Sequence, residues 1–221
     1  MYNLTLVIPA KKEKESLYLV LDELKKYNLK IIVIIEESDL ETIKSIQNYD
    51  CEIIFQKNKG YGDAIIQGIN LVKTKFFCIF NADGSFDPKE LKKMYELASE
   101  KDYTFVFGSR YMRGASSEDD TIITFFGNKV FSLIGKFFFK LDINDILYTY
   151  VLGDTIKTQN LNLKEKGFSL CIELPIKIKR SNFRMICTPS NERARIGGKK
   201  KVNAFKDGMK ILISMIILFF K

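Results

Sequence analysis

Apolar residues fall in short runs through the first half of the chain, and the period changes from run to run. Residues 4–8 (LTLVI) form a β-rich run stopped by Pro9 and predict a strand. Leu17, Val20, Leu21 and Leu24 then recur at i, i+3, i+4 and i+7, the stripe of a helix. Residues 30–35 (KIIVII) are continuously apolar, which suits a strand covered on both faces. The same alternation continues: helix over 39–48, strand over 51–55, and helix over 61–73 with Ile65, Ile66, Ile69 and Val72 inward. A strand follows over 76–80, then a helix over 88–100 with Pro88 at its first position, then a strand over 103–108. Such alternation predicts parallel strands joined by right-handed crossovers, a doubly wound, mostly parallel α/β sheet flanked by helices.

The second half is less regular. Residues 121–141 predict a Phe-rich helix, 167–181 a helix despite Pro175, 183–189 a strand, and 202–220 an apolar C-terminal helix. No internal repeat or low-complexity linker interrupts the chain. The reading is a single domain over 1–201, followed by a helix over 202–221 packed on it or lying at a membrane surface.

Open α/β sheets bind ligands beyond the carboxyl ends of their strands. The segments there are PAKKEKE (9–15), EESD (36–39) and NADGSFD (81–87), all polar and all containing acids. Gly60, Gly62 and Gly68 lack the GxGxxG spacing, and no GxxxxGK[ST] occurs, so neither a dinucleotide fold nor a P-loop is indicated.

Composition narrows the chemistry. The chain has no histidine, which removes Ser-His-Asp, Cys-His and imidazole acid–base catalysis. Carboxylates, Lys and Arg, phosphates or an oxygen-held metal remain. A net charge of +8 points to anionic partners such as nucleotides or phospholipid surfaces. Cys51, Cys78, Cys171 and Cys187 show no CxxC pairing, and three of them sit in apolar runs, which reads as buried free thiols of a reducing compartment. The N-terminus enters a strand with no signal-peptide pattern, so the expected location is cytoplasmic.

In the loop after the fourth predicted strand, Asn81, Asp83 and Ser85 alternate. In an extended segment they present oxygens to one side, a ligand set suited to Mg²⁺ or Mn²⁺ completed by substrate phosphates. The alternative is a loop whose acids cap the helix at Pro88. Asp87 fits that cap, which leaves Asp83 without a structural task.

Several segments, taken in order, resemble family-2 glycosyltransferases of the GT-A fold, particularly the branch containing dolichol-phosphate mannose synthase. LTLVIPAKKEKESL is similar to that family's opening strand and P-x-x-N-E loop, and KIIVIIEESDLET to the strand ending in Asp-Asp-Gly-Ser. NKGYGDAIIQGI resembles N-x-G-x-G-x-A-x-x-x-G, IFNADGSFDP the D-x-D motif, GSRYMRG the G-S-R-Y motif, and RARIGGKKKV the R-x-x-G-x-x-K segment. The resemblance implies a nucleotide-sugar pocket at Pro9, Glu13, Glu36, Glu37, Asn81 and Ala82. It places the divalent ion on Asp83, to which the alternation adds Asn81 and Ser85 as candidate further ligands, and implies phosphate-facing cations at Arg110, Arg195 and Lys201. The chain departs from the family at Lys12, where Asn is usual, at Glu36-Glu37 in place of two Asp, and at Asn81, whose amide carries no charge for a metal.

What the resemblance implies is metal-assisted, inverting sugar transfer from a nucleotide-diphosphate donor, with Asp83 and Arg110 stabilising the leaving group. A lipid-phosphate acceptor arrives anionic and needs no base, which the missing histidines favour. A hydroxyl acceptor on a membrane-linked glycan needs one, and Glu173 in its apolar run, or an acid at 118–120, is a candidate. The other reading of Glu173 is a salt bridge to a nearby Lys.

Residues 193–210 hold seven Lys or Arg against Asp207 alone and lead into ILISMIILFF, too short to span a bilayer. A basic stretch before an apolar helix fits a peripheral position on the inner face of the membrane, beside the Phe-rich helix; ordinary core packing is the alternative. Aromatic interleaving and helix-turn-helix patterns are missing, so no nucleic-acid partner is expected. The departures also support a second reading, a membrane-attached nucleotide-binding module with weakened catalysis.

Overall fold

A computed structural model describes residues 1–197 and 203–220. Strands and helices alternate as the pattern predicts: β1 (Leu4–Ala10), α1 (Leu17–Leu24), β2 (Lys30–Ile35), α2 (Leu40–Ile46), β3 (Glu52–Phe55), α3 (Tyr61–Leu71), β4 (Phe76–Ile79), α4 (Glu90–Ser99) and β5 (Phe105–Ser109). There follow β6 (Ser116–Ser117), α5 (Ile122–Phe139), β7 (Val151–Asp154), α6 (Thr155–Gln159), α7 (Leu170–Arg180), β8 (Met185–Pro189), β9 (Asn191–Glu192) and α8 (Ala204–Phe219).

Seven strands form one sheet in the order β3-β2-β1-β4-β7-β5-β8, and β6 pairs with β9 beside it. The continuous apolar run of β2 is explained by burial on both faces. Ile31, Val33 and Ile35 join the core under α1, α2 and α4, whereas Ile32 and Ile34 join the core under α3, α7 and α8.

The short elements β6, α6 and β9 were not expected, and three larger differences bear on the fold. β7 was not legible in the pattern, and it runs antiparallel between β4 and β5. It is short and contains Gly153, where a Cβ would lie 2.6 Å from Phe105 and 3.0 Å from Phe77. α4 begins at Glu90, not at Pro88. Asp87 caps the intervening turn, accepting from the Lys89 N–H at 3.0 Å.

α5 is the third, because it is turned inside out. It buries Asn128, Ser132 and Gly135. Asn128 donates to Asp145 and accepts from the Leu147 N–H, and Ser132 Oγ accepts from the Ile146 N–H. Those bonds fix the polar stripe inward and leave Ile122 (77% exposed), Ile123 (73%), Phe126 (62%), Phe137 (74%) and Phe138 outward. α8 packs on α5 and α7 through Ile211, Ser214, Met215 and Leu218, and the rings of Phe138 and Phe139 meet Phe219 edge-on. Ile213, Ile216, Ile217 and Phe220 extend the exposed apolar surface.

All four cysteines are free, with Cys78 fully buried and the others partly so. Burial pushes Cys51 and Cys187 up to about 11 and Cys171 up to about 12, so all three remain thiols at neutral pH.

Candidate active site

The loop 81–87 begins where β4 ends, and a turn rather than an extended segment brings its polar residues together. Asp83 Oδ1 accepts from the Ser85 N–H at 3.1 Å and from Ser85 Oγ at 2.7 Å. Gly84, at φ +82°, makes the reversal, and Ile196 closes over it so tightly that a Cβ would fall 2.4 Å from the isoleucine Cδ1. Asn81 Nδ2 donates to Ser85 Oγ at 3.2 Å, while its Oδ1 accepts from the Tyr61 hydroxyl at 3.4 Å. Tyr61 also shares a 2.7 Å hydrogen bond with Thr149 and stacks on Phe168. Burial pushes its phenol far above the usual range, so it stays protonated.

Asn81 and Ser85 therefore shape the loop, and Asp83 Oδ2, which Ser85 does not engage, is the oxygen that meets Arg195. Arg195 Nη1 lies 3.7 Å from that atom, while Nη2 and Nε of the same guanidinium reach Asp119 at 3.0 and 3.3 Å. The Asp119 bonds come first among the causes that raise the Arg195 pKa further. Among the described residues no three acids, Cys or His cluster as a self-sufficient metal cage. A carboxylate oxygen not engaged by its own loop suits a divalent ion whose remaining ligands are water and substrate phosphate, with Arg195 left to face the phosphates.

A cleft of about 520 Å³ opens at the ends of β2 and β3, lined by Glu36, Glu37, Gln56, Lys57 and their neighbours. Glu36 pairs with Lys11 at 2.7 Å on its edge. Pro9 sits within β1 opposite Ile34. Glu13 is not among the cleft residues. It is buried in the turn before α1, where its N–H donates to Thr42 Oγ1 and its carboxylate accepts from Ser16 Oγ. Ala82 is buried, with its methyl in the core. Lys201 lies outside the described residues.

Two expected catalytic residues have other tasks. Arg110 does not point at an open phosphate site. Its Nε and Nη2 donate to Asp145 and its Nη1 to Glu192, all within 3.0 Å, and the guanidinium lies over the Tyr148 ring. Burial opposes its charge, but the two carboxylates outweigh burial and hold it protonated. It locks the end of β5 to the stretch before β7 and to β9. Glu173 takes the salt-bridge alternative rather than the role of a base. Its buried carboxylate accepts the Lys164 and Glu165 N–H groups and pairs with Lys177 at 2.8 Å. That fixes the backbone on which α3 starts, where Gly60 and Gly62 leave no room for a Cβ beside the Lys166 and Glu165 carbonyls.

A mixed sheet with polar loops gathered at the carboxyl ends of β1, β2 and β4 is the fold of the GT-A glycosyltransferases. The chain matches glucosyl-3-phosphoglycerate synthase from Mycobacterium tuberculosis, solved with Mn²⁺, UDP and glucosyl-3-phosphoglycerate, at a TM-score of 0.77 and 13% identity, over 98% of this chain and 79% of that one. Residues 5–157 match the family described as Glycosyl transferase family 2, and the chain belongs to that family. Among its relatives are an uncharacterized protein of Methanocaldococcus jannaschii, 24% identical over 95% of this chain and 91% of the relative, and the dolichol-phosphate mannosyltransferase of Pyrococcus furiosus, 24% identical over 90% of this chain and 59% of that enzyme.

Proposed function

We propose that this glycosyltransferase works at a membrane surface, moving a sugar from a nucleotide-diphosphate donor to a lipid phosphate or, failing that, to a membrane-linked glycan. The observation that carries this reading is the inverted helix α5. Its exposed apolar face starts at Ile122, three residues after Asp119, and Asp119 is bonded to the arginine that meets Asp83. An outward Phe and Ile surface, on helices that also carry Lys129, Lys136, Lys206 and Lys210, suits the boundary of an anionic bilayer. α5 is long and apolar enough to cross a membrane by length and composition, but its Asn128 and Ser132 side is bonded to the domain, so it lies along the surface. Free thiols and the net positive charge support a cytoplasmic, inner-face location.

In the reaction the acceptor oxygen forms a bond to the anomeric carbon on the face opposite the diphosphate, giving inversion. The bond from that carbon to the diphosphate breaks, with the electron pair leaving on the phosphate oxygen. Arg195, already a cation beside Asp83, moves onto this growing charge. Asp83 Oδ2 would hold Mg²⁺ or Mn²⁺, which supplies further charge neutralisation when bound. The UDP and Mn²⁺ in the structural neighbour support this donor chemistry, and the Pyrococcus relative supports the lipid-phosphate acceptor. Glu36 and Glu37 frame the cleft for the nucleoside. With Glu173 locked away and Asp119 bonded to Arg195, an acceptor that carries no proton to remove suits the site best.

The test is a donor screen (UDP-, GDP- and dTDP-sugars) with polyprenyl phosphate in anionic vesicles, scored by release of nucleoside diphosphate. Transfer that requires both vesicles and Asp83 supports the proposal. Equal transfer to a soluble sugar without lipid overturns the acceptor. Tight nucleotide binding with no turnover of any donor favours the weakened module instead.

A further inference from the structure

The loop that presents Asp83 is held from behind by one short segment of chain. The Asp83 carbonyl accepts from the Ile196 N–H at 2.8 Å, and the Ser85 carbonyl from the Arg193 N–H at 2.8 Å. Between and beyond them, Arg193 Nε donates to the Gly84 carbonyl at 3.1 Å and Nη2 to the Phe86 carbonyl at 2.7 Å. All four successive carbonyls of residues 83–86 are thus bonded to Arg193 or Ile196. The guanidinium is itself oriented by Glu23 of α1, which accepts from Nη1 at 2.9 Å and from Nη2 at 3.0 Å. Segment 190–191 is pinned in turn by Glu90, whose carboxylate accepts from Ser190 Oγ and the Asn191 N–H.

A planar fork with several fixed donors suits adjacent carbonyls as an ammonium does not. Two residues further on, Arg195 leaves the same segment toward Asp83 and Asp119. One stretch of chain therefore fixes the backbone behind the carboxylate and delivers the cation in front of it.

We infer that Arg193, held by Glu23, is a positioning residue for the Asp83 loop, setting the direction of Asp83 Oδ2 and through it the affinity of the site for a divalent ion. The inference rests on the proposed metal role of Asp83, and it assigns Arg193 no contact with substrate.

The experiment titrates Mn²⁺, alone and with UDP or GDP, by electron paramagnetic resonance. It compares wild type, Arg193→Met, Arg193→Lys, Glu23→Gln and Asp83→Asn, with the melting temperature of each recorded in parallel. Both Arg193 variants are expected to lose roughly tenfold or more in Mn²⁺ affinity, the range for residues that orient a metal ligand. Glu23→Gln is expected to lose less in the same direction, at temperatures where every variant is folded. Should Arg193→Met fail to fold, the Lys and Gln variants decide. Lower melting temperatures with Mn²⁺ affinity unchanged would show a purely structural clamp and overturn the inference alone. Wild-type protein that binds no Mn²⁺, or Asp83→Asn binding as well as wild type, would overturn the metal reading and this inference with it.

Discussion

Asp83 Oδ2 lies 3.7 Å from Arg195 Nη1, while the other carboxylate oxygen of Asp83 is occupied by Ser85. The pair is a carboxylate divided between shaping its own loop and facing a cation that Asp119 also holds. Replacing Arg195 by Met removes the protein's charge from the leaving-group side of the reaction. The expected loss in kcat/KM is about 10²–10³, or ~2.7–4 kcal/mol of barrier. Mn²⁺ binding without nucleotide is expected to hold or tighten, since a competing cation has gone. Nucleoside diphosphate release and Mn²⁺ titration read the two effects separately, and wild-type turnover in the variant would remove Arg195 from the chemistry.

Asn81 raises a different expectation. Its Nδ2 donates to Ser85 and its Oδ1 accepts from Tyr61, so Asn81→Asp deletes a donor and adds a second carboxylate near Asp83. Without metal the variant is expected to be less stable by about 1 kcal/mol, the worth of one lost hydrogen bond. Saturating Mn²⁺ restores that loss by binding the folded state. Melting temperatures with Mn²⁺ and with EDTA check this. A variant that gains nothing from Mn²⁺ would show that residue 81 stands too far from the ion to ligate it.

The alternation from β1 to β5 was legible because each of those elements carries its own period and packs on a neighbour in sequence. The position of the Asp83 loop was legible for the same reason, since an apolar run stops abruptly at Asn81. What was not legible depends on partners far along the chain. Arg110 reads as a phosphate ligand until Asp145, in a stretch without periodicity, is seen to claim two of its nitrogens. Glu173 reads equally as base or bridge until the backbone of Lys164 and Glu165 closes on it. The Phe content of α5 was plain, but the direction of its faces is set by Asn128 and Ser132 bonding residues 145–147, which no local pattern records.

The apolar face of α5 provides a test that does not depend on catalysis. Phe126 and Phe137 are well exposed, so Phe126→Glu and Phe137→Glu are expected to leave the melting temperature unchanged or raise it. Each burial in lipid of a Phe side chain contributes about 1.5–3 kcal/mol, so each substitution is expected to weaken vesicle binding roughly tenfold or more. Sedimentation with vesicles rich in anionic lipid measures it. Undiminished binding by the double variant would rule out this surface as the lipid contact.

Glu90 makes the tether of segment 190–191 dependent on pH. Burial raises its pKa above the ordinary 4.5, and the hydrogen bonds from Ser190 and Asn191 recover only part of that shift. An acid whose folded pKa is raised binds more protons folded than unfolded across the window from 4.5 up to the raised value. Stability from this group is therefore greatest below that window and falls as pH rises through it. Glu90→Gln has no proton to exchange, so the stability of wild type minus that of the variant is expected to shrink as pH rises from 4.5 through the raised value. Urea unfolding of both proteins across that range measures the difference. A difference that grows with pH would mean that the bonds from Ser190 and Asn191 outweigh burial, making the ionised carboxylate the form that holds the segment.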